Sequence, residues 1–291
     1  MSNYVIVTDS AADLDQAMVD KLGIQVVPLS LTCGEGETYL DYPDRRELDP
    51  HEFYERLRAG EVATTSAVNL AAARSTIEPL FLNGSDVLFL AFSSGLSSTC
   101  QTVRLAAEEL MEVYPERKCY VVDTLCASLG EGLLVYLTAQ KQKAGATLEE
   151  ARDYAEENKL HLCHWFTVDD LQFLKRGGRI SAATAMLGTM LAIKPVLHVD
   201  DEGHLINMSK ARGRQGSIKA LVEKMAELAI EPEGQTVFIC QGDCQADADY
   251  LAGLVKERFG VKEVYIGYTG PVIGSHSGPG TLALFFVGKN R

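Results

Sequence analysis

Basic residues are scarce in this chain, and the shortage bounds its partners before any motif is read. Lys and Arg number 27 against 40 Asp and Glu, a formal net charge of −13. Phosphate backbones are gripped by clustered cations, so no nucleic-acid partner is expected. Also missing is a run of about 20 apolar residues, the length needed to cross a bilayer. The opening Met1-Ser2-Asn3-Tyr4 carries neither the basic region nor the apolar stretch of a signal peptide. The expectation is a cytoplasmic protein. Cys33, Cys100, Cys119, Cys126, Cys163, Cys240 and Cys244 include no CxxC pair, which argues against a disulfide framework and against thiolate metal sites. Neither GxxxxGK[ST] nor a strand-following GxGxxG occurs; Gly34-Glu35-Gly36 lacks the third glycine. Nucleotide binding therefore has little support, and no cofactor is expected.

What is present is an ordinary globular mixture. The 291 residues, 46% hydrophobic and 23% charged, can bury a sizeable core and suggest about two domains. Short apolar runs alternate with amphipathic stretches, the pattern of an α/β architecture. Tyr4 to Thr8, Val87 to Phe92 and Cys119 to Asp123 read as strands buried on both faces of a parallel sheet. Helices are expected over 13–22, over 97–114 with Ser97 or Ser98 as N-cap, and over 130–144 and 148–159. From Asp169 a second region opens, with a helix over 216–229 and a strand over 235–241. A boundary near residue 160 divides the chain into α/β domains 1–160 and 161–291. No linker rich in Pro, Gly or Ser separates them, which predicts halves packed closely around a cleft.

Three polar clusters fall where loops should meet. Thr64-Thr65-Ser66-Ala67-Val68-Asn69 precedes a helix beginning near Leu70 and carries the residue types that cap helices. Phe92-Ser93-Ser94-Gly95-Leu96-Ser97-Ser98-Thr99 follows a strand and precedes a helix, where open α/β sheets bind ligands and free N–H groups face an anion. A hydrophilic capped turn accounts for it equally well. Gly270 to Gly280 is a glycine-rich loop in which His276 can donate to a carboxylate or act as acid or base. His161 and His164 lack a completing ligand, so no metal is expected. Asp41-Tyr42-Pro43-Asp44 reads as a solvated loop. Lys175, Arg176, Arg179, Lys210, Arg212 and Arg214 gather positive charge into a patch for an anion or a partner.

Taken together, several motifs resemble the DegV family over essentially the whole chain. They are Ile6-Val7-Thr8-Asp9-Ser10, Thr65-Ser66, Ser93-Ser94-Gly95-Leu96-Ser97, Val122-Asp123-Thr124, Ala127-Ser128-Leu129-Gly130, Leu174-Lys175-Arg176-Gly177-Gly178-Arg179-Ile180 and Gly274-Ser275-His276-Ser277-Gly278-Pro279-Gly280. The resemblance implies two α/β domains with a long-chain fatty acid, palmitate-like or oleate-like, in a lipid-binding cleft at their interface. It implies a carboxyl group bound by Thr65, Ser97 and His276, with Ser66 and Ser94 nearby. In FakB-like members, which serve phospholipid metabolism, a separate fatty-acid kinase phosphorylates that carboxyl group. Arg179 and Arg212 match basic positions that such members use toward the kinase or the membrane surface. The family's usual Thr-Ser-x-Pro-Ser and Leu-Ser-Gly-Thr stand here as Thr65-Ser66-Ala67-Val68-Asn69 and Leu96-Ser97-Ser98-Thr99, so Asn69 and Ser98 are departures. The resemblance thus points to a lipid carrier rather than an enzyme. One catalytic alternative stays open, a hydrolase or acyl transferase in which His276 is the base for Ser97 or Ser94.

Overall fold

The computed structural model describes residues 3–180 and 193–291. In the first half, β1 (Tyr4–Asp9), β2 (Gln25–Val27), β6 (Asp86–Ala91) and β7 (Cys119–Asp123) form a parallel sheet in the order β2-β1-β6-β7. β1 and β6 are nearly continuous in apolar residues because helices cover both faces. Helices α3 (Leu70–Leu82) and α4 (Thr99–Val113) lie on one side, α5 (Leu129–Lys143) and α6 (Leu148–Asn158) on the other. The chain leaves β1 toward β2 on one side and later continues from β6 to β7 on the other, so the β1 and β6 carboxyl ends form the switch point of the sheet. There Asp9 stitches two loops together, accepting from Ala11 N at 3.0 Å and Phe92 N at 2.9 Å.

The second half is built on a six-stranded sheet in the order β10-β9-β8-β13-β11-β12. Its strands are β8 (Leu162–Thr167), β9 (Ile193–Val199), β10 (Leu205–Arg212), β11 (Thr236–Gln241), β12 (Glu263–Tyr268) and β13 (Leu282–Val287). Helices α8 (Gly213–Leu228) and α9 (Gln245–Phe259) cover one face. The other face meets α5, which buries nine residues and packs against both sheets. Its first turns are buried all round, as that central position requires, while Gln140, Lys141 and Lys143 at its end reach solvent.

Four local expectations are revised. Ala63–Ser66, within the first polar cluster, is a strand, β5, in a small antiparallel sheet ordered β4-β3-β5 with β3 (Ser30–Cys33) and β4 (Glu37–Leu40). The capping expected of the cluster is met at its last residue, Asn69, whose Oδ1 accepts from Ala72 N at 2.8 Å. The glycine-rich loop around His276 holds a seven-residue helix, α10 (Pro271–Ser277), started by proline at its first position and ended by Gly278 at φ +80°. Asp41 is not solvated: it is 3% exposed and paired with Arg45. The first helix, α1 (Gln16–Leu22), starts later than the expected residue 13 because Asp13 is left-handed, φ 56°, and Asp15 is the cap.

Candidate ligand-binding site

Between the two sheets lies a cavity with about 1000 Å³ of empty space, its open mouth included. Period-two alternation turns Ala283 and Phe285 of β13, and His164 and Phe166 of β8, toward it. Phe92, Leu96 and Ala127 from the first half close the opposite wall. The interior is therefore mainly apolar, with polar groups gathered at particular points.

Thr65 and His276 make the junction at one such point. The register of the small sheet sets Thr65 opposite Leu31, and α10 packs on β5 and β3. Thr65 Oγ1 and His276 Nε2 are 2.7 Å apart, while His276 Nδ1 is buried with no partner among the described residues. Burial, and secondly the Arg179 charge, push the His276 pKa down to about 4, so the imidazole is neutral at pH 7. With the proton on Nε2, that nitrogen donates to Thr65 and leaves the threonine proton free for a ligand. The helix α7 (Gln172–Arg176) runs into Gly177, whose backbone presses on the imidazole: a Cβ there would lie 2.1 Å from His276 Nδ1.

The other expected residues divide. Ser97 lines the cavity; its Oγ is 3.0 Å from Thr99 Oγ1 and accepts from Thr99 N at 3.2 Å. Ser66 and Ser98 also line it and are exposed toward the mouth. Ser94 is exposed outside the cavity wall, its N–H donating to Asp123 Oδ1 at 3.1 Å. Arg179, expected at a docking surface, is half-buried in the cavity wall, where Nε donates to Leu96 O at 3.2 Å and a terminal nitrogen donates to Gly177 O. Arg212 is exposed at the end of β10 and takes no part in the wall. Neither Ser94 nor Ser97 is bonded to His276. His161 and His164 do not converge: His161 Nδ1 meets Gly288 O at 3.1 Å, and His164 Nδ1 meets Leu162 O at 2.8 Å.

Of the deeper polar groups, the sequence singles out His164 only as a metal candidate and Glu131 not at all. His164, 1% exposed, accepts from Ala127 N at 3.3 Å, and burial holds its pKa well below the usual value. Gly130 makes room for it, since a Cβ there would lie 2.1 Å from His164 Nε2. On α5, Glu131 is fully buried. Thr8 Oγ1 lies 2.8 Å from Leu90 O and 2.9 Å from Glu131 Oε1. Thr8 has one proton for these two acceptors; with it on the carbonyl, a protonated Glu131 completes the set by donating to Thr8. Burial, with Asp9 close by, raises its pKa well above the ordinary range, in keeping with a neutral acid.

This fold and cavity place the molecule among two-domain α/β proteins built around an internal site. The chain belongs to the DegV family: the family model described as "Uncharacterised protein, DegV family" matches residues 3–289. It is 47% identical to a DegV domain-containing protein of Clostridium perfringens, covering 100% of this chain and 99% of the relative. A fatty-acid-binding DegV family protein from Thermus thermophilus superposes with a TM-score of 0.88 at 32% identity, over 98% of this chain and 99% of that one. DegV of Bacillus subtilis, a fatty acid binding protein, does so with a TM-score of 0.86 at 29% identity, over 99% and 100%. Among the described residues no helix is long and apolar enough to cross a membrane.

Proposed function

We propose that this protein binds a long-chain fatty acid, palmitate-like or oleate-like, and presents its carboxyl group to a separate fatty-acid kinase for acyl-phosphate formation. The observation that carries the reading is the Thr65–His276 pair, with Ser97 and Arg179, on the wall of a deep apolar cavity. The Thermus thermophilus and Bacillus subtilis relatives, both fatty-acid-binding, support it. Burial of a chain of about sixteen carbons yields roughly 12 kcal/mol at about 0.8 per methylene, before association and ordering costs. A carboxylate in such a site needs donors and a counter-charge. Thr65 and Ser97 supply hydroxyls, and Arg179 supplies the charge that a neutral His276 does not. Catalysis belongs to the partner in this reading, since His276 is paired with Thr65 rather than with Ser97 or Ser94, and Ser94 lies outside the cavity. Exposed Lys175, Arg176 and Arg212 are the residues for the kinase or a membrane surface.

Native mass spectrometry is the direct test. Added mass of a long-chain fatty acid is expected, and Thr65→Val should weaken binding by about 1 to 3 kcal/mol. A protein that takes up neither palmitate nor oleate sinks the reading.

A further inference from the structure

The residues assigned to the carboxyl group leave a second polar patch on the same cavity without a role. Thr269 is fully buried and lines the cavity, and its hydroxyl has no satisfying partner among the described residues. Its backbone is fully engaged: N donates to Gln241 O at 2.8 Å, and O accepts from Tyr54 Oη at 2.8 Å. The residue is therefore held in place with only its side chain spare. Neighbouring hydroxyls show the ordinary alternative. Ser275 Oγ donates to Pro271 O and Thr281 Oγ1 to Gly278 O, each at 2.7 Å. Thr269 instead faces the Cys240 thiol, too weak a partner to satisfy it. Ser128 Oγ stands 3.3 Å from the same sulfur, its proton going to Asp13 and its remaining lone pair available on the cavity wall.

The patch thus offers Thr269 as a free donor with Ser128 as an acceptor near it; Ser277, also buried on the cavity wall without a partner among the described residues, is a second spare hydroxyl. Thr269 lies ahead of the first residue of α10, a helix about 10 Å long at 1.5 Å per residue, whereas His276 is in its last turn. A carboxyl group held by Thr65 and His276 does not reach it; the acyl chain does. A plain methylene chain would leave the Thr269 donor unsatisfied in an apolar setting, whereas a hydroxyl group both donates and accepts.

Resting on the fatty-acid reading above, we infer that the cavity is fitted to a hydroxylated fatty acid, its mid-chain hydroxyl accepting from Thr269. The experiment is competition between stearate and hydroxystearates bearing the hydroxyl at a series of mid-chain carbons, read by native mass spectrometry on the full chain. At least one hydroxystearate should be preferred over stearate by about ten-fold. Thr269→Val and Thr269→Ala should each reduce that preference to within about two-fold without weakening stearate, and Thr269→Ser should restore it. The inference is overturned if no hydroxystearate is preferred, or if the Thr269 variants that retain the wild-type melting temperature weaken stearate as much as its hydroxylated forms. Binding of stearate without preference would leave the fatty-acid reading standing, while uptake of no acyl chain at all would remove both.

Discussion

Gly177 and His276 are in contact across the cavity wall, with the space of a single methyl group separating a tolerated from an excluded side chain. A Cβ at 177 would come within 2.1 Å of Nδ1, yet φ at this glycine is −70°, which alanine adopts freely. Backbone strain therefore plays no part in the effect of Gly177→Ala. The variant is expected to stay folded, to turn the imidazole away from Thr65, and to lose about 1 to 2 kcal/mol of fatty-acid affinity. Combining it with Thr65→Val should add little, since both changes break the same contact; additive losses in a double-mutant cycle would show the two effects to be separate.

Acid stability carries two opposed signatures. His276 titrates at about 4 in the fold because of burial, and secondly Arg179, against about 6.5 when unfolded. Its contribution is full above about pH 6.5 and lost as pH falls toward 4. Asp9 and Asp13 run the other way, pushed up to about 7 primarily by burial. Their contribution is full below about pH 4 and lost as pH rises through 7. Urea midpoints from about pH 4 to about 8 should show Asp13→Asn flattening the neutral-side decline and His276→Gln flattening the acid-side one. Slopes unchanged by either substitution would count against these assignments.

Glu131 offers a cleaner test of a buried neutral acid. Glutamine keeps its shape and its donor to Thr8, so Glu131→Gln should change stability by less than about 1 kcal/mol. Glu131→Ala, which leaves a cavity and an unpaired Thr8, should cost about 2 to 4 kcal/mol. Equal losses in chemical denaturation would mean that the charge, not the proton, is needed there.

Arg291 is 7% exposed and has no carboxylate partner among the described residues; it donates instead to the carbonyls of Leu125, Lys159, Leu162 and Asp200. Those carbonyls come from both halves, Leu162 being the first residue of β8. Arg291→Met should destabilise by about 2 to 4 kcal/mol, and Arg291→Lys should recover only part, because an ammonium cannot span the fork of acceptors. Thermal melting that ranks Lys equal to Arg would argue against the multi-carbonyl role.

The strands at Tyr4, Asp86 and Cys119 were legible because burial on both faces writes an unbroken apolar run. β13 carried the same signal, Leu-Ala-Leu-Phe-Phe-Val after a Gly-Pro-Gly turn, and was readable on those grounds though not picked out. β5 was not legible: Ala-Thr-Thr-Ser has neither apolar content nor length, and its strand character comes from pairing with β3. Hydroxyl and imidazole residues drew attention to Thr65, Ser97 and His276 as chemical types. Their meeting is another matter, since Thr65 and His276 are 211 positions apart and no local pattern encodes that distance. Arg179 read as surface charge because a basic residue beside Gly-Gly has that bias, while its place in the cavity wall follows from tertiary packing. Thr269, alone among apolar and glycine neighbours, gave no periodic sign at all.

α5 has a mechanical consequence. Leu129, Leu133 and Leu134 sit in one continuous core with Ile6, Leu88 and Leu90 of the first sheet and Phe166, Phe238 and Phe285 of the second. The two sheets stand on a common floorboard, and prising them apart would wet residues from both at once. Traffic into the cavity must therefore pass by rearranging the loops and short helices around its mouth, α7 and α10 among them, with the sheets themselves staying fixed.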